Sequence, residues 1–396
     1  MNPEQSPFKP GQIVPFEFFV GRIEEIERLL SMVKASTQGQ FKIGFISGER
    51  GIGKSSLASF VRHVSDSNHN TAGCHVHLGG VRELNEMVRT TYDRILKESI
   101  NQPWHKQMMA FFGDHVRKVG LFGFSLELNL ADKDLPELSR NFVPSMKTLL
   151  DKLNEEKDAL LLILDDINGL ATSTDFANWL KSMVDEISTS GHKMPLCILV
   201  VGLEERRQEL INCQPSLARV FDLINISPWA DSEATEFYQS SFQSAGAKIE
   251  DTELKKLVSF TGGLPVLAHE IGDAVWRTAK NLEITPKEVN EGIATAAEII
   301  GRKFLEPQVF RAIQSEKYRS ILRKIASESN TVFRRSELMA SLTGQEAKVL
   351  DSFLRRMKHL GAIESVEGVK GGYKFPNLLH DLYYALYFWM ESQTQN

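Results

Sequence analysis

Gly48-Glu49-Arg50-Gly51-Ile52-Gly53-Lys54-Ser55 fits the pattern GxxxxGK[ST], and what flanks it decides the fold. Directly before it, residues 41–46 form an apolar run that reads as a strand. Directly after it, residues 55–65 carry the 3.6-residue periodicity of a helix. In that setting the glycines let successive backbone N–H groups turn inward around a chain of phosphates. Lys54 would reach the β- and γ-phosphates, and Ser55 would hold Mg²⁺ at the helix N-terminus. Residues 48–55, with Ser56 beyond them, are therefore the candidate phosphate-binding set.

Moving outward, residues 160–164 and 196–201 are rich in Val, Ile and Leu, as strands buried on both faces of a parallel sheet are. Residues 73–78 and 221–226 read as two more strands. Helical patterns over 81–99, 142–154 and 176–189 alternate with them. The expected fold is an α/β, three-layer P-loop core with a parallel sheet. One interruption is the stretch 119–130, where Phe122, Phe124, Leu126, Leu128 and Leu130 alternate with smaller or polar residues, so an inserted strand or hairpin is expected there. Residues 232–303 are helical throughout, broken at Gly262-Gly263, with a helix start at Thr285-Pro286. The last part reads as helices over 318–327, 336–342 and 345–360, then glycine-punctuated short strands around Gly368 and Gly371-Gly372, the order of a winged helix. The expected division is an arm over 1–15, the core over 16–228, an all-α lid over 229–309, a winged helix over 310–390 and a tail over 391–396.

The composition of the 396 residues, 42% hydrophobic and 24% charged, excludes fibrous and wholly disordered classes. The longest apolar runs, 159–164 and 195–201, fall far short of the about 20 residues that span a bilayer, so no membrane partner is expected. The first eleven residues lack a secretory pattern, and Cys74, Cys197 and Cys213 show no CxxC spacing. A cytoplasmic location with bland thiols follows as the expectation. The net charge is −5, but residues 310–396 hold 13 basic against 9 acidic side chains, leaving 33 against 42 before them. Any basic surface is concentrated in that last region. The ten histidines are scattered, and no HExxH, GxSxG or Cys/His cluster is evident, so no metal cluster and no hydrolysis other than of a nucleotide is expected.

A Mg²⁺ nucleotide needs a second carboxylate at the end of a neighbouring strand, and Leu160-Leu161-Leu162-Ile163-Leu164-Asp165-Asp166 supplies it. Asp165 is the metal-side acid, acting through water; Asp166 stands where a carboxylate could orient the attacking water as general base. An aspartate there is one methylene shorter than glutamate, so slow turnover is expected. In the 345–360 helix, Ala347, Leu350, Leu354 and Met357 mark an apolar face, while Lys348, Ser352, Arg355, Arg356 and His359 gather opposite. That basic face could meet duplex DNA, or be a solvated face on a module that contacts proteins; both readings stand.

Phe19-Val20-Gly21-Arg22 with Glu24-Glu25-Ile26 and Leu29, the Asp165-Asp166 pair and Gly262-Gly263-Leu264-Pro265 resemble the P-loop ATPases of the STAND and initiator-like AAA+ type, including archaeal-type ATPases, over about residues 16–385. The resemblance implies an ATP- and Mg²⁺-dependent ATPase switch, with Val20 and Gly21 covering adenine and Pro265 sensing nucleotide from the lid. Leu379-His380-Asp381-Leu382 is similar to a histidine-aspartate motif that reads the diphosphate in such proteins. The likeness also implies self-association through the core, with Arg219 reaching a neighbouring copy's site; a surface pairing of Arg219 with Asp222 or Glu209 is the alternative. Two departures stand out. The 196–201 strand ends in Gly202-Leu203 without the usual polar sensor, leaving Arg206 or Arg207 to supply one, and no arginine follows Pro265 until Arg277. With no effector repeat attached, output would pass through a protein partner, self-assembly or DNA.

Overall fold

Val-, Ile- and Leu-rich strands build one five-stranded, wholly parallel sheet, as continuous apolar runs favour. In this computed structural model, residues 6–113, 116–119, 125–128, 135–327, 332–366, 368–377, 380–385 and 387–388 are described. The chain divides into two units, Ile13–Ser227 and a second made of Met1–Gln12 with Pro228–Asn396.

The Ile13–Ser227 unit runs α1 (Ile23–Thr37), β1 (Lys42–Ser47), α2 (Lys54–Asn68), β2 (Thr71–His77), α3 (Leu84–Ser99), α4 (His105–Phe112), β3 (Val116–Val119), β4 (Ser125–Leu128), α5 (Leu135–Arg140), α6 (Phe142–Leu153), β5 (Ala159–Asp165), α7 (Thr174–Thr189), β6 (Leu196–Val201), α8 (Glu204–Cys213) and β7 (Asp222–Asn225). The strand order is β2-β5-β6-β1-β7. Period-two alternation sorts the strand residues into two layers. Ile43, Phe45, Ala72, Cys74, Val76, Leu160, Leu162 and Leu164 join a core with α3, α4, α6 and α7. Gly44 and Gly73 point the other way: a Cβ on Gly44 would meet Met32 of α1 at 2.9 Å, and one on Gly73 would meet Arg62 of α2 at 2.4 Å. Helices therefore cover both faces, and the three-layer α/β expectation holds. The 119–130 alternation corresponds to the antiparallel pair β3–β4, an insertion between β2 and β5; its intervening residues lie outside those described.

The second unit continues α9 (Asp231–Ser244), α10 (Asp251–Thr261), α11 (Pro265–Thr278), α12 (Pro286–Ile300), a π-helical segment Gly301–Phe310, α13 (Glu316–Ser327), β8 (Val332–Arg334), α14 (Arg335–Ser341), α15 (Gly344–Ala347), α16 (Leu350–His359), β9 (Glu364–Ser365) and β10 (Gly372–Lys374). Thr285 starts α12 as its sequence implies: its hydroxyl accepts from the Glu288 amide, and Glu288 accepts from the Thr285 amide at 2.9 Å. β8, β10 and β9 form an antiparallel three-stranded sheet.

Three details differ from expectation. Residues 6–12 group with the C-terminal unit while 13–15 belong to the core, because Phe8 is buried at 2% exposure among Phe237, Tyr238, Phe242 and His269. The 309/310 division falls at the end of a helical segment that follows α12 directly and accommodates Pro307 in a wide turn. The 345–360 helix is two helices, α15 and α16, so Lys348 stands outside the helix that carries Arg355 and Arg356.

Candidate functional site

β1 ends at Ser47 and α2 begins at Lys54, and the six residues between make the loop the motif predicts. Gly51 and Gly53 adopt φ of 79° and 95°, backbone that residues with a Cβ rarely take. At Gly48 a Cβ would lie 2.9 Å from the Ile226 carbonyl oxygen. Ile52 is buried and pins the loop from within, whereas Glu49 and Arg50 are exposed. The Lys54 ammonium folds back over the loop, donating to the carbonyls of Gly48 at 3.0 Å and Glu49 at 2.7 Å. Burial draws its pKa below the ordinary lysine value, against the pull of Asp165 and Asp166. The Ser56 hydroxyl accepts from the Val14 amide at 3.3 Å and so fastens the preceding segment to α2.

Asp165 closes β5, buried at 3% exposure, with the Ser55 hydroxyl beside it. Burial alone would raise its pKa. Hydrogen bonds from His75 and Ser55, with the charge of the two imidazoles, outweigh burial and hold the carboxyl below the usual carboxylate range. A hydroxyl and an ionised carboxylate in contact beside a lysine are the oxygen-donor set a hard dication prefers, so the residues fit Mg²⁺ and a phosphate chain.

Asp166 follows in left-handed backbone, φ 60°, with its carboxylate exposed. Asn168 Nδ2 donates to it, while Asn168 Oδ1 accepts from the Leu203 amide at 3.2 Å. A polar side chain from the neighbouring loop thus lies against the tip of β6. Arg206 and Arg207 are both paired with acidic side chains of their own helix. Arg206 pairs with Glu209 at 2.6 Å, and Arg207 forks onto Glu204, pulling that carboxyl down to about 2. Sequence reading passed over Asn168, although Asp-Asp-Ile-Asn after an apolar strand was the available signal.

Two of the ten histidines converge on Asp165. His75 and His77 are two apart on β2 and share its α2-facing side, where His75 Nε2 lies 2.9 Å and His77 Nδ1 3.6 Å from Asp165 Oδ2. Parallel pairing sets His77 opposite Asp165, which no local pattern reveals.

Val20 and Gly21 are half-buried in a segment held at both ends. Phe19 stacks on Phe60 of α2 with ring centroids 4.7 Å apart, and buried Arg22 donates to the Ser227 carbonyl. Arg219 is exposed at the end of a short 3₁₀ turn, Pro215–Arg219. Neither expected surface partner takes it: Asp222 pairs with Arg28 and Glu209 with Arg206.

In the second unit, Pro265 is buried at the first turn of α11, after Gly262 and Gly263 at φ of 56° and 73°. A Cβ on Gly262 would press on Asn377 at 2.9 Å. Asn377 Oδ1 accepts from the His380 amide at 3.0 Å, whereas His380 Nδ1 is buried without a hydrogen-bond partner and burial lowers the ring's pKa to about 4. Arg355 and Arg356 are exposed on α16, opposite buried Leu350, Phe353, Leu354 and Met357. Among the described residues, no helix is long and apolar enough to cross a membrane.

Residues 19–200 match the family described as AAA ATPase domain. Among solved structures, the ORC2 protein of Aeropyrum pernix in its ADPNP-ADP complexes is similar over 99% of this chain and 99% of that one, with 15% identity and a TM-score of 0.61. The ADP form of that protein gives 15% identity over 97% and 98%, TM-score 0.54. A Walker-type ATPase of Pyrococcus abyssi gives 14% identity over 93% and 96%, TM-score 0.55. No curated protein matches the sequence. The loop between β1 and α2, the acid at the end of β5 and the family match make residues 19–200 similar to an AAA-type P-loop ATPase domain, and these structures share its fold.

Proposed function

We propose that the protein is an ATP-dependent molecular switch that binds ATP with Mg²⁺ and hydrolyses it slowly, the nucleotide state governing how the core, a lid (229–309) and a winged helix (310–390) are arranged. The observation that carries this reading is the convergence of the 48–55 loop, Lys54, Ser55 and Asp165. Ser55 and Asp165 would hold Mg²⁺, which when bound draws charge from the phosphate oxygens. Lys54 exchanges its two loop carbonyls for phosphate oxygens, Val20 and Gly21 flank the adenine, and Asp166, aimed by Asn168, orients the attacking water and takes its proton. Pro265 and His380 are the lid and winged-helix contacts through which the state is read. Arg219, exposed and without its expected acidic partners, is the group offered to a second copy.

Calorimetry tests the reading. Wild-type chain binds ATP·Mg²⁺, and Lys54→Ala loses roughly tenfold to a hundredfold in affinity, the size of one charge-assisted hydrogen bond or two. Absence of any heat from wild type with nucleoside triphosphates defeats the proposal. A second reading, nucleotide-controlled binding of duplex DNA through Lys348, Arg355 and Arg356, is supported by the exposure of these cations. A protein effector is the remaining outlet.

A further inference from the structure

Two imidazoles at the end of β2 are not among the residues that would hold nucleotide or Mg²⁺, and one of them is buried against Asp165. His75 is 3% exposed, and its Nε2 is 2.9 Å from Asp165 Oδ2. His77 is 53% exposed and stacks on His75 with ring centroids 4.4 Å apart, its Nδ1 3.6 Å from the same oxygen. The three donor atoms lie within 4.8 Å of one another. A role for His75 as a hydrogen-bond support of Asp165 accounts for His75 alone; it leaves unexplained why the half-exposed second ring converges on the same oxygen beyond hydrogen-bonding distance.

We propose that His75, His77 and Asp165 form a site for a borderline transition-metal dication of the Zn²⁺ or Co²⁺ class, beside the phosphate loop. Around a tetrahedral ion with ligand bonds of about 2.0–2.1 Å, donors stand roughly 3.3 Å apart, and the two observed separations bracket that value. Two imidazole nitrogens and one carboxylate suit Zn²⁺ and Co²⁺, whereas Mg²⁺ prefers oxygen donors alone. Three protein ligands leave one position open, the pattern of an exchangeable site. The site is rigid on one side because β2 and β5 pair in register at His75–Ile163 and His77–Asp165. The consequence rests on the ATPase reading: Asp165 cannot serve the imidazole-bound ion and the nucleotide's Mg²⁺ equally, so Zn²⁺ would hold the enzyme in a poorly hydrolysing state.

The test uses the full chain freed of nucleotide, titrated with Zn²⁺ by calorimetry and with Co²⁺ by visible absorption. Wild type is expected to bind one ion per chain and to give the intense visible band of tetrahedral Co²⁺. His77→Ala and His77→Asn, both at a half-exposed position, should each bind at least tenfold more weakly and lose the band, with unchanged circular dichroism. Wild-type affinity in both variants, or no binding by wild type, overturns the site. ATP·Mg²⁺ calorimetry on the same samples separates the two proposals. Zn²⁺ binding without ATP binding leaves the metal site standing and removes the switch; ATP binding without Zn²⁺ binding does the reverse.

Discussion

Asp166 holds left-handed backbone that costs a residue with a Cβ roughly 1–3 kcal/mol, and Asn168 bridges it to the β6 tip through one amide group. Such a position is sustained only where neighbours over-determine it, and here the Asn168 side chain does so with a hydrogen bond at each end. On the proposed reading, in which the carboxylate acts on the water and not on the phosphates, replacing Asp166 by Asn should slow hydrolysis by about 10²–10⁴ while nucleotide affinity barely moves. Asn168→Ala should slow it in the same direction, and the double variant should be no slower than Asp166→Asn, because the two act as one unit. Single-turnover phosphate release measures all three. Unchanged turnover in Asp166→Asn would remove the base from the mechanism.

At the scale of elements, the 6–12 segment is a strap on α9 and α11. Phe8 sits among the rings of Phe237, Tyr238, Phe242 and His269, with centroids 5.0 to 6.5 Å away, and the Lys9 amide donates to His269 Nδ1 at 3.1 Å. Gly272 makes room for it, since a Cβ there would meet the Phe8 ring at 2.4 Å. Phe8→Ala should destabilise this unit by about 3–5 kcal/mol, read as a lower denaturant midpoint for its unfolding transition. His269 accepts that amide only when Nδ1 is unprotonated. Burial, with help from Lys9 and against Asp273, depresses its pKa from 6.5 to about 4. Between those values the unfolded chain binds the proton and the folded one does not, so stability falls as pH drops from 6.5 to 4 and the loss is complete below 4. The contribution is about 3 kcal/mol. His380 is depressed in the same direction, so His269→Gln should remove part of the slope of urea midpoint against pH and leave the rest. An unaltered slope in that variant would place the titration elsewhere.

For the whole molecule, the sign of charge differs between regions, with residues 310–396 carrying the basic excess within a chain of net −5. If α16 grips duplex DNA, affinity should fall steeply with added salt, and Arg355→Glu with Arg356→Glu should abolish it. Fluorescence anisotropy across a salt series decides. Binding that persists in the double variant excludes α16 as the contact surface, and no binding even at low salt leaves a protein partner or self-assembly as the outlet.

How far the sequence reached follows the range of the interactions. The five strands, the glycine-rich loop and the Thr285 cap were legible because each rests on contacts between residues near in sequence: apolar periodicity, glycine backbone freedom and a capping box. Side-chain roles set by distant segments were not. Ser56 is claimed by Val14, and Phe8 by a helix more than two hundred residues away. The histidines at 75 and 77 looked scattered because their meaning lies in strand register, and only hydrogen-bonded pairing of β2 with β5 sets His77 opposite Asp165. Local free-energy preferences are written along the chain, whereas a site assembled across strands exists only once the sheet has chosen its neighbours.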